Sequence, residues 1–90
     1  MLKDPDATLP FTVDWSAWLA AEQDTADTAT WTVPDGLTQE TEPAPNLANG
    51  KATVWLSGGT AGRGYTVTCR LTTTGGRTDE RNIGISVRNR

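Results

Sequence analysis

Apolar and polar residues alternate in short blocks along most of the chain, and a period of two residues is typical of β-strands with one face on a core. In the first block, Phe11, Val13 and Trp15 share one face while Thr12 and Asp14 share the other. The pattern predicts strands at residues 11–15, 29–33, 37–42, 52–57, 65–71 and 83–87.

Turn residues separate these blocks. The Pro-Asp-Gly sequence at 34–36 ends the second strand, because Pro removes a backbone donor and Asp-Gly favours a turn. The Gly-Gly pair at 75–76 predicts a hairpin between the last two strands. Residues 42–50, with two prolines and an Asn-Gly pair, predict a loop. Residues 15–22 are the exception to strand chemistry, since Ala and Leu there favour one short helical turn.

Five to seven short strands with a turn about every ten residues favour an all-β fold, and specifically an immunoglobulin-like β-sandwich of about seven short strands. Tyr65 precedes Cys69 on the penultimate strand by two alternations, as in immunoglobulin-like domains. We expect a flexible N-terminal arm at residues 1–10 and the sandwich domain at 11–90.

Composition narrows the function. The chain has 90 residues, no His, a single cysteine and a formal net charge of -3. Without His the usual general base and the commonest metal ligand are missing, and one cysteine makes no metal cluster, so we expect no cofactor or metal. An acidic chain disfavours nucleic acid, and no apolar run is long enough to predict a membrane span. A short N-terminus without a long apolar stretch favours synthesis in the cytoplasm.

Three candidate arrangements for ligand binding or catalysis are compared with simpler explanations. The glycine-rich residues 58–64 lack the Gly-Lys-Ser/Thr ending of a phosphate-binding loop and lead into a strand, which favours an interstrand loop. Cys69 lies on an inward face without an activating base, which favours a core residue. Glycoside hydrolysis needs only two carboxylates, but a sandwich of this size rarely offers the necessary cleft. The candidate carboxylates are Asp14, Asp24, Asp27, Asp79 and Glu80.

Candidate interface residues come from two places. Trp55 points away from Val54 and Leu56, so it is either covered by the proline-containing loop or exposed as an interface anchor. At the start of the last strand the charges alternate in sign, which indicates either a solvated edge with cross-strand ion pairs or a docking surface. The four candidates in that stretch are Arg77, Asp79, Glu80 and Arg81.

The remaining tryptophans have predicted core positions. Trp15 and Trp31 fall on inward faces and are expected to fill the space between two sheets. Trp18 is expected to pack at the end of the sandwich, beside the helical turn.

Several motifs together resemble one family. They are Lys3-Asp4-Pro5-Asp6, Phe11-Thr12-Val13-Asp14-Trp15-Ser16 with Trp18-Leu19, Thr30-Trp31-Thr32-Val33-Pro34-Asp35-Gly36-Leu37, Val54-Trp55-Leu56-Ser57-Gly58-Gly59-Thr60-Ala61-Gly62, Tyr65-Thr66-Val67-Thr68 and Gly76-Arg77-Thr78-Asp79-Glu80-Arg81. The chain resembles the small fiber-tail adaptor or neck proteins of bacteriophages and prophages, outside residues 38–51. Residues 40–50 form an insertion relative to that family.

The resemblance implies a non-enzymatic virion protein in the tail or neck region, synthesised in the bacterial host cytoplasm. Its implied partners are other tail, neck or fiber components, contacted in multiple symmetric copies. The alternative is a carbohydrate-binding module of the β-sandwich type, which would need two or three coplanar exposed aromatic rings.

Overall fold

The chain folds into strands with one short helix. The computed structural model describes residues 2–42 and 44–88. The elements in these residues are β1 (Leu2–Lys3), β2 (Leu9–Asp14), α1 (Ser16–Ala21), β3 (Ala26–Thr32), β4 (Leu37–Gln39), β5 (Asn46–Ala48), β6 (Lys51–Gly58), β7 (Gly64–Thr73) and β8 (Thr78–Val87). The prediction of a mostly β chain with one helical turn near residues 15–22 is confirmed.

Two sheets form the two layers of the molecule. The first has the order β1-β8-β7-β3, and the second has the order β2-β6-β4, with β5 also paired to β6. All pairs are antiparallel except that of β1 with β8. The hairpin predicted at the Gly-Gly pair joins β7 to β8, and the pairing runs without interruption from Thr72 and Thr78 to Gly64 and Ser86.

The core lies between the sheets and has two parts. In the larger part, Phe11, Val54 and Leu56 of the second sheet meet Val67 and Ile85 of the first. The smaller part surrounds Trp15 near α1, and half-buried Trp31 packs against both parts. Burial of these alternating apolar side chains supplies the main driving force for the fold. The inward positions predicted for Trp15, Trp31 and Cys69 are confirmed.

The helix α1 begins where the alternation of β2 stops. Trp15 is the N-cap residue and is completely buried. The Asp14 carboxylate accepts hydrogen bonds from the Ser16 N–H at 2.9 Å and from the Ser16 hydroxyl at 2.6 Å. Trp18 lies on the same turn, with its ring centroid 5.5 Å from that of Trp15 in an edge-to-face arrangement. Trp18 therefore lies within the helical turn itself, and packs against the part of the core around Trp15.

The N-terminal segment, expected to be a flexible arm, contains a short strand. Leu2 and Lys3 form β1, which pairs in parallel with Ser86 and Val87 of β8. The Lys3 side chain is fully buried, and its ammonium donates to the Gly58 carbonyl oxygen at 2.6 Å. Composition alone did not indicate this strand, because two residues are too few to show a period.

The proline-containing loop also holds an unexpected strand. Residues 42–50 include β5, which pairs with Lys51, Ala52 and Thr53 of β6. The strand predicted at residues 37–42 is correspondingly shorter and ends at Gln39. Asn49 and Gly50 have positive φ and make the tight turn between β5 and β6, consistent with the Asn-Gly signal.

Substituting Gly59 with alanine is expected to lower the free energy of unfolding by about 2 to 4 kcal/mol. Gly59 has a φ of +97°, and a Cβ there would lie 2.7 Å from a methyl group of buried Val87. Urea unfolding measures the loss. Gly62→Ala is the matched control, because its φ is +86° but a Cβ would meet nothing within 4 Å. Equal losses in the two variants would contradict the predicted clash.

Substituting Lys3 with alanine is expected to release β1 from β8 while the rest of the fold remains. The Arg88 N–H donates to the Lys3 carbonyl oxygen at 2.9 Å, so its hydrogen exchange reports on the pairing. We expect exchange at Arg88 to accelerate by about tenfold or more. Leu2→Ala is the control, because the Leu2 side chain is 51% exposed. Unchanged protection of Arg88 in Lys3→Ala would show that the lysine does not hold the strand.

Candidate functional site

The densest group of charged and polar contacts lies where α1 meets the turn between β7 and β8. We call it the charged end, and define it by Glu22, Asp24, Arg77 and Arg81. Asp24 follows α1, while Arg77 closes the β7–β8 turn. The tertiary fold therefore brings together residues that are more than fifty positions apart in the chain.

Asp24 is the centre of the charged end, and its side chain is only 5% exposed. Its carboxylate accepts hydrogen bonds from the Thr25 N–H at 2.8 Å, the Gly75 N–H at 3.1 Å and the Arg77 guanidinium at 2.9 Å. A hydrogen bond with the Thr73 hydroxyl, supported by these donors, holds the pKa of Asp24 well below its usual value. Asp24 therefore joins the loop after α1 to the β7–β8 turn.

The two candidate arginines are engaged within the chain. Arg77 pairs with Asp24 at 2.9 Å and with Glu22 at 3.4 Å. The Arg81 guanidinium lies 4.3 Å from the centre of the Trp15 ring and donates to the Asp14 carbonyl oxygen at 2.7 Å. Both guanidinium groups thus stabilise the charged end through an ion pair or a cation–π contact.

The two candidate carboxylates differ in their contacts. Glu80 lies opposite Arg70 across the β7–β8 pair, with 3.7 Å between the charged atoms and both side chains more than half exposed. Such an exposed pair contributes little stability. Asp79 accepts the Glu80 N–H at 2.8 Å and makes no ion pair among the described residues. The cross-strand ion pair expected for a solvated edge is thus present at Glu80.

Trp55 lies in the second sheet, apart from the other four candidates. It is half-buried, between the alternatives left open by the sequence. Its neighbours Val54 and Leu56 are fully buried, so its ring is on the outer face of the sheet. Across the strands it lies opposite Pro10. The structure therefore does not join Trp55 and the charged stretch of β8 on one sheet.

A groove adjoins the charged end. Its volume is about 510 Å³, and it runs between α1, the start of β3 and β5. Leu19, Ala26 and Leu47 supply apolar lining, and Asp24 and Asp27 line its acidic side. Sequence reasoning missed this groove because β5 was not predicted, and β5 supplies one of its walls.

The chemistry available in the described residues is limited. No group of three or more His, Cys, Asp or Glu side chains in residues 2–42 and 44–88 is placed to hold a metal ion. Burial raises the pKa of the Cys69 thiol, partly offset by the neighbouring Trp15 indole and Arg81 guanidinium. Within the same residues, no helix has the length and apolarity needed to cross a membrane.

Sequence reasoning weighed Asp24 only as a carboxylate for catalysis and did not foresee its structural contacts. The sequence shows acidic residues after the helical turn and a basic residue after the Gly-Gly pair. No local pattern indicates that these two segments meet in the fold. Lys3 was also missed, because a lysine near a terminus is normally exposed.

The class defined by this fold and site is a small, mostly β protein of two packed sheets, with a charged end in which Arg77 pairs with Glu22 and Asp24 and Arg81 stacks on Trp15. The chain belongs to the family of the podophage GP4 fiber-tail adaptor protein gp77, whose family model matches residues 3–86. The resemblance read from the sequence motifs is therefore confirmed. A comparison with curated proteins found no match.

Proposed function

We propose that this protein is a non-enzymatic structural component of a phage particle, which joins the fiber to the tail through protein–protein contacts. The family match across residues 3–86 is the observation that carries the proposal. The proposed location is the tail or neck of the virion, after synthesis in the bacterial host cytoplasm. The proposed partners are other tail, neck or fiber proteins, contacted by several symmetric copies.

The side-chain contacts support two different roles for the five candidate interface residues, one structural and one in partner binding. Arg77 and Arg81 keep the charged end rigid, since both bind groups of the same chain. Trp55, Asp79 and Glu80 retain accessible surface for a partner. A half-buried tryptophan on a sheet face offers a large contact area with little conformational freedom to lose on binding.

The strand order supports an immunoglobulin-like topology as part of the proposal. In that fold one sheet holds the first, second, fifth and fourth strands, and the other holds the third, sixth and seventh. The first strand of this chain departs from that order, because β1 pairs with β8. Here β2-β6-β4 and β3-β7-β8 correspond to those two sets. β1 adds to the edge beside β8, and β5 adds beside β6, so this chain has eight strands in the described residues.

We propose that the N-terminal arm contacts a neighbouring protein after its short strand β1 has separated from β8. Residues 1–10 would reach a neighbouring protein only after β1 leaves β8, since Lys3 is buried in the docked form. The Lys3→Ala variant described above is expected to supply a chain with this segment released.

A carbohydrate-binding function finds no comparable support. Such modules use several exposed, coplanar aromatic rings, and every aromatic residue among the described ones is buried or half-buried. Among the described residues, Leu2 is the one large apolar residue that is exposed, and it has no aromatic ring.

Deletion of the gene from the phage that encodes it tests the adaptor function. We expect particles with filled heads but without attached fibers, because the connecting component is missing. Negative-stain microscopy scores fiber attachment, and mass spectrometry of purified particles scores the protein itself. Supplying the wild-type chain in trans is expected to restore both.

Trp55→Ala, supplied in trans, tests the proposed anchor. We expect a folded protein and a lower fraction of particles with fibers, because the variant loses contact area at the interface. Thr66→Ala is a control on an exposed outer position of the first sheet. Particles that lack the protein in wild-type phage, or that keep their fibers after deletion, would overturn the proposed function.

A further inference from the structure

The strand edges of this protein differ in how they are protected against pairing. The edge strand β2 contains Pro10, which has no N–H to donate. β8 is partly covered by β1 at one end and carries the charged residues Asp79, Glu80 and Arg81 near the other. β4 and β5 have three residues each. β3 is seven residues long and contains neither Pro nor a basic residue.

The backbone of β3 has hydrogen-bonding groups on its open side. The Thr73 N–H donates to the Arg77 carbonyl oxygen at 2.8 Å, so the odd-numbered residues of β7 bond towards β8 along their continuous register. The even-numbered residues of β7 therefore bond to β3, opposite threonines 28, 30 and 32. It follows that the N–H and C=O groups of Ala29 and Trp31 point away from the sheet.

The groove of about 510 Å³ begins at the same strand. Ala26 and Asp27 of β3 line it together with Leu19 of α1 and Leu47 of β5. The pairing of β3 with β7 shifts between Ala26 and Thr28, so Asp27 lies at an irregularity of the strand. The Asp27 carboxylate is exposed and makes no hydrogen bond or ion pair among the described residues. An open edge thus continues into a groove that is partly apolar and has an acidic side.

We propose that β3 binds an extended segment of a partner protein, which adds a strand to the sheet and places an apolar side chain in the groove and a basic side chain beside Asp27. Strand addition obtains affinity from main-chain hydrogen bonds and specificity from side-chain pockets. This inference rests on the proposed function, because the partner is taken to be a tail or fiber protein of the same phage.

A different protein fits this surface better than a second copy of the chain. The chain has a formal net charge of -3, and the outer edge of its own β8 would bring Asp79 and Glu80 towards Asp27. Pairing of β3 with the β3 of a second copy would leave the groove empty. The inward side chains of that second β3 are Ala29, which is small, and Trp31, which already packs in the core of its own chain. Charge complementarity therefore favours a partner segment with a basic residue.

An array of overlapping short peptides from the virion proteins of the phage tests the proposal with the purified full chain. We expect the bound peptides to share a large apolar residue near a Lys or Arg. Amide exchange by NMR then locates the site: the N–H groups of Ala29 and Trp31 should gain protection when the tightest peptide binds. Protection at the edge of β8 instead, or no bound peptide, would overturn the proposal.

Two variants test the binding chemistry with peptide affinity as the readout. Asp27→Lys reverses an exposed charge and is expected to weaken binding by about tenfold. Ala29→Pro removes one outward N–H without removing a bond to β7, and is expected to abolish binding. Thr30→Ala is the matched control, since it changes an exposed side chain on the same strand and should bind normally. Normal affinity of Asp27→Lys would contradict the proposed basic contact.

Complementation of the deleted phage separates this inference from the adaptor function. If wild-type chain restores fibers and Asp27→Lys does not, both are supported. If both chains restore fibers equally, the adaptor function stands and the β3 site is wrong. Sedimentation of the isolated chain tests whether a second copy of the chain binds the edge of β3. Self-association of the wild type that is lost in Ala29→Pro would assign the edge to a second copy and overturn the proposal.

Discussion

Replacement of Trp15 by alanine is expected to lower the free energy of unfolding by about 3 to 5 kcal/mol. Trp15 is completely buried, packs edge-to-face with Trp18 and lies beneath the Arg81 guanidinium. Its removal leaves a cavity in the smaller part of the core and takes away the cation–π contact. A chain of this length has a total stability of about 5 to 13 kcal/mol, so the variant is expected to be marginal at 37 °C. Urea unfolding monitored by circular dichroism measures the change.

Two further tryptophan variants sharpen this prediction. Trp15→Phe keeps an aromatic ring and removes an indole N–H that is buried without a hydrogen-bond partner among the described residues. We expect it to cost clearly less than Trp15→Ala. Trp55→Ala is the control, because its half-buried ring lies outside the core. If Trp55→Ala were as destabilising as Trp15→Ala, the assignment of Trp15 to the core would lose its support.

Replacement of Asp24 by asparagine is expected to lower the Tm at neutral pH by roughly 5 to 10 °C. The neutral amide loses the ion pair with Arg77 and directs N–H donors at groups that are themselves donors. The pKa of Asp24 lies well below its ordinary value of about 4 in the folded protein. The unfolded chain therefore binds the proton more readily, and the stabilisation is present above about pH 4 and is lost as the pH falls through the folded pKa.

The difference in Tm between the wild type and Asp24→Asn should therefore depend on pH. We expect the Tm of Asp24→Asn to remain below that of the wild type by a constant amount above about pH 5, and the gap to narrow in more acidic solution. Differential scanning calorimetry across this range measures the gap. Asp27→Asn is the control, since it changes a neighbouring exposed carboxylate that makes no hydrogen bond or ion pair among the described residues. A gap that stays constant to the lowest pH would contradict a role for the charged form of Asp24.

These two predictions concern the rigidity of one end of the molecule. Trp15 and Asp24 each connect α1 or its following loop to the first sheet, through Arg81 and Arg77 respectively. The groove beside β3 lies against the same elements. A rigid charged end would therefore keep the groove preformed for a partner, which lowers the entropic cost of binding.

Much of the local structure was predictable because it depends on short-range patterns. The alternation from Tyr65 to Leu71 lies within β7, and the Gly-Gly pair lies in the turn before β8. The departure from alternation after Trp15 marked α1. β1 and β5 were missed for a common reason, since strands of two and three residues show no periodicity and form only because a longer strand lies beside them.

The candidate interface was less predictable than the fold. The sequence indicated that charges alternate from Arg77 to Arg81, but not which charges are engaged within the chain. Arg77 forms ion pairs with Asp24 and Glu22, and the Arg81 guanidinium stacks on the Trp15 ring. Each of these contacts joins residues more than fifty positions apart in the chain. Burial of Trp55 was also undecided, because periodicity assigns a face and does not indicate what covers that face.

The sequence by itself determined the β-rich class, the inward set of apolar residues, the helical turn, the last hairpin and, through its joined motifs, the adaptor family. These properties follow from side-chain alternation, turn chemistry and the identity of consecutive residues. Only the tertiary structure decided that Lys3 is buried, that Asp24 joins two distant turns, and that the open edge of β3 continues into a groove. Each of these depends on packing between segments far apart in the chain, which no local pattern records.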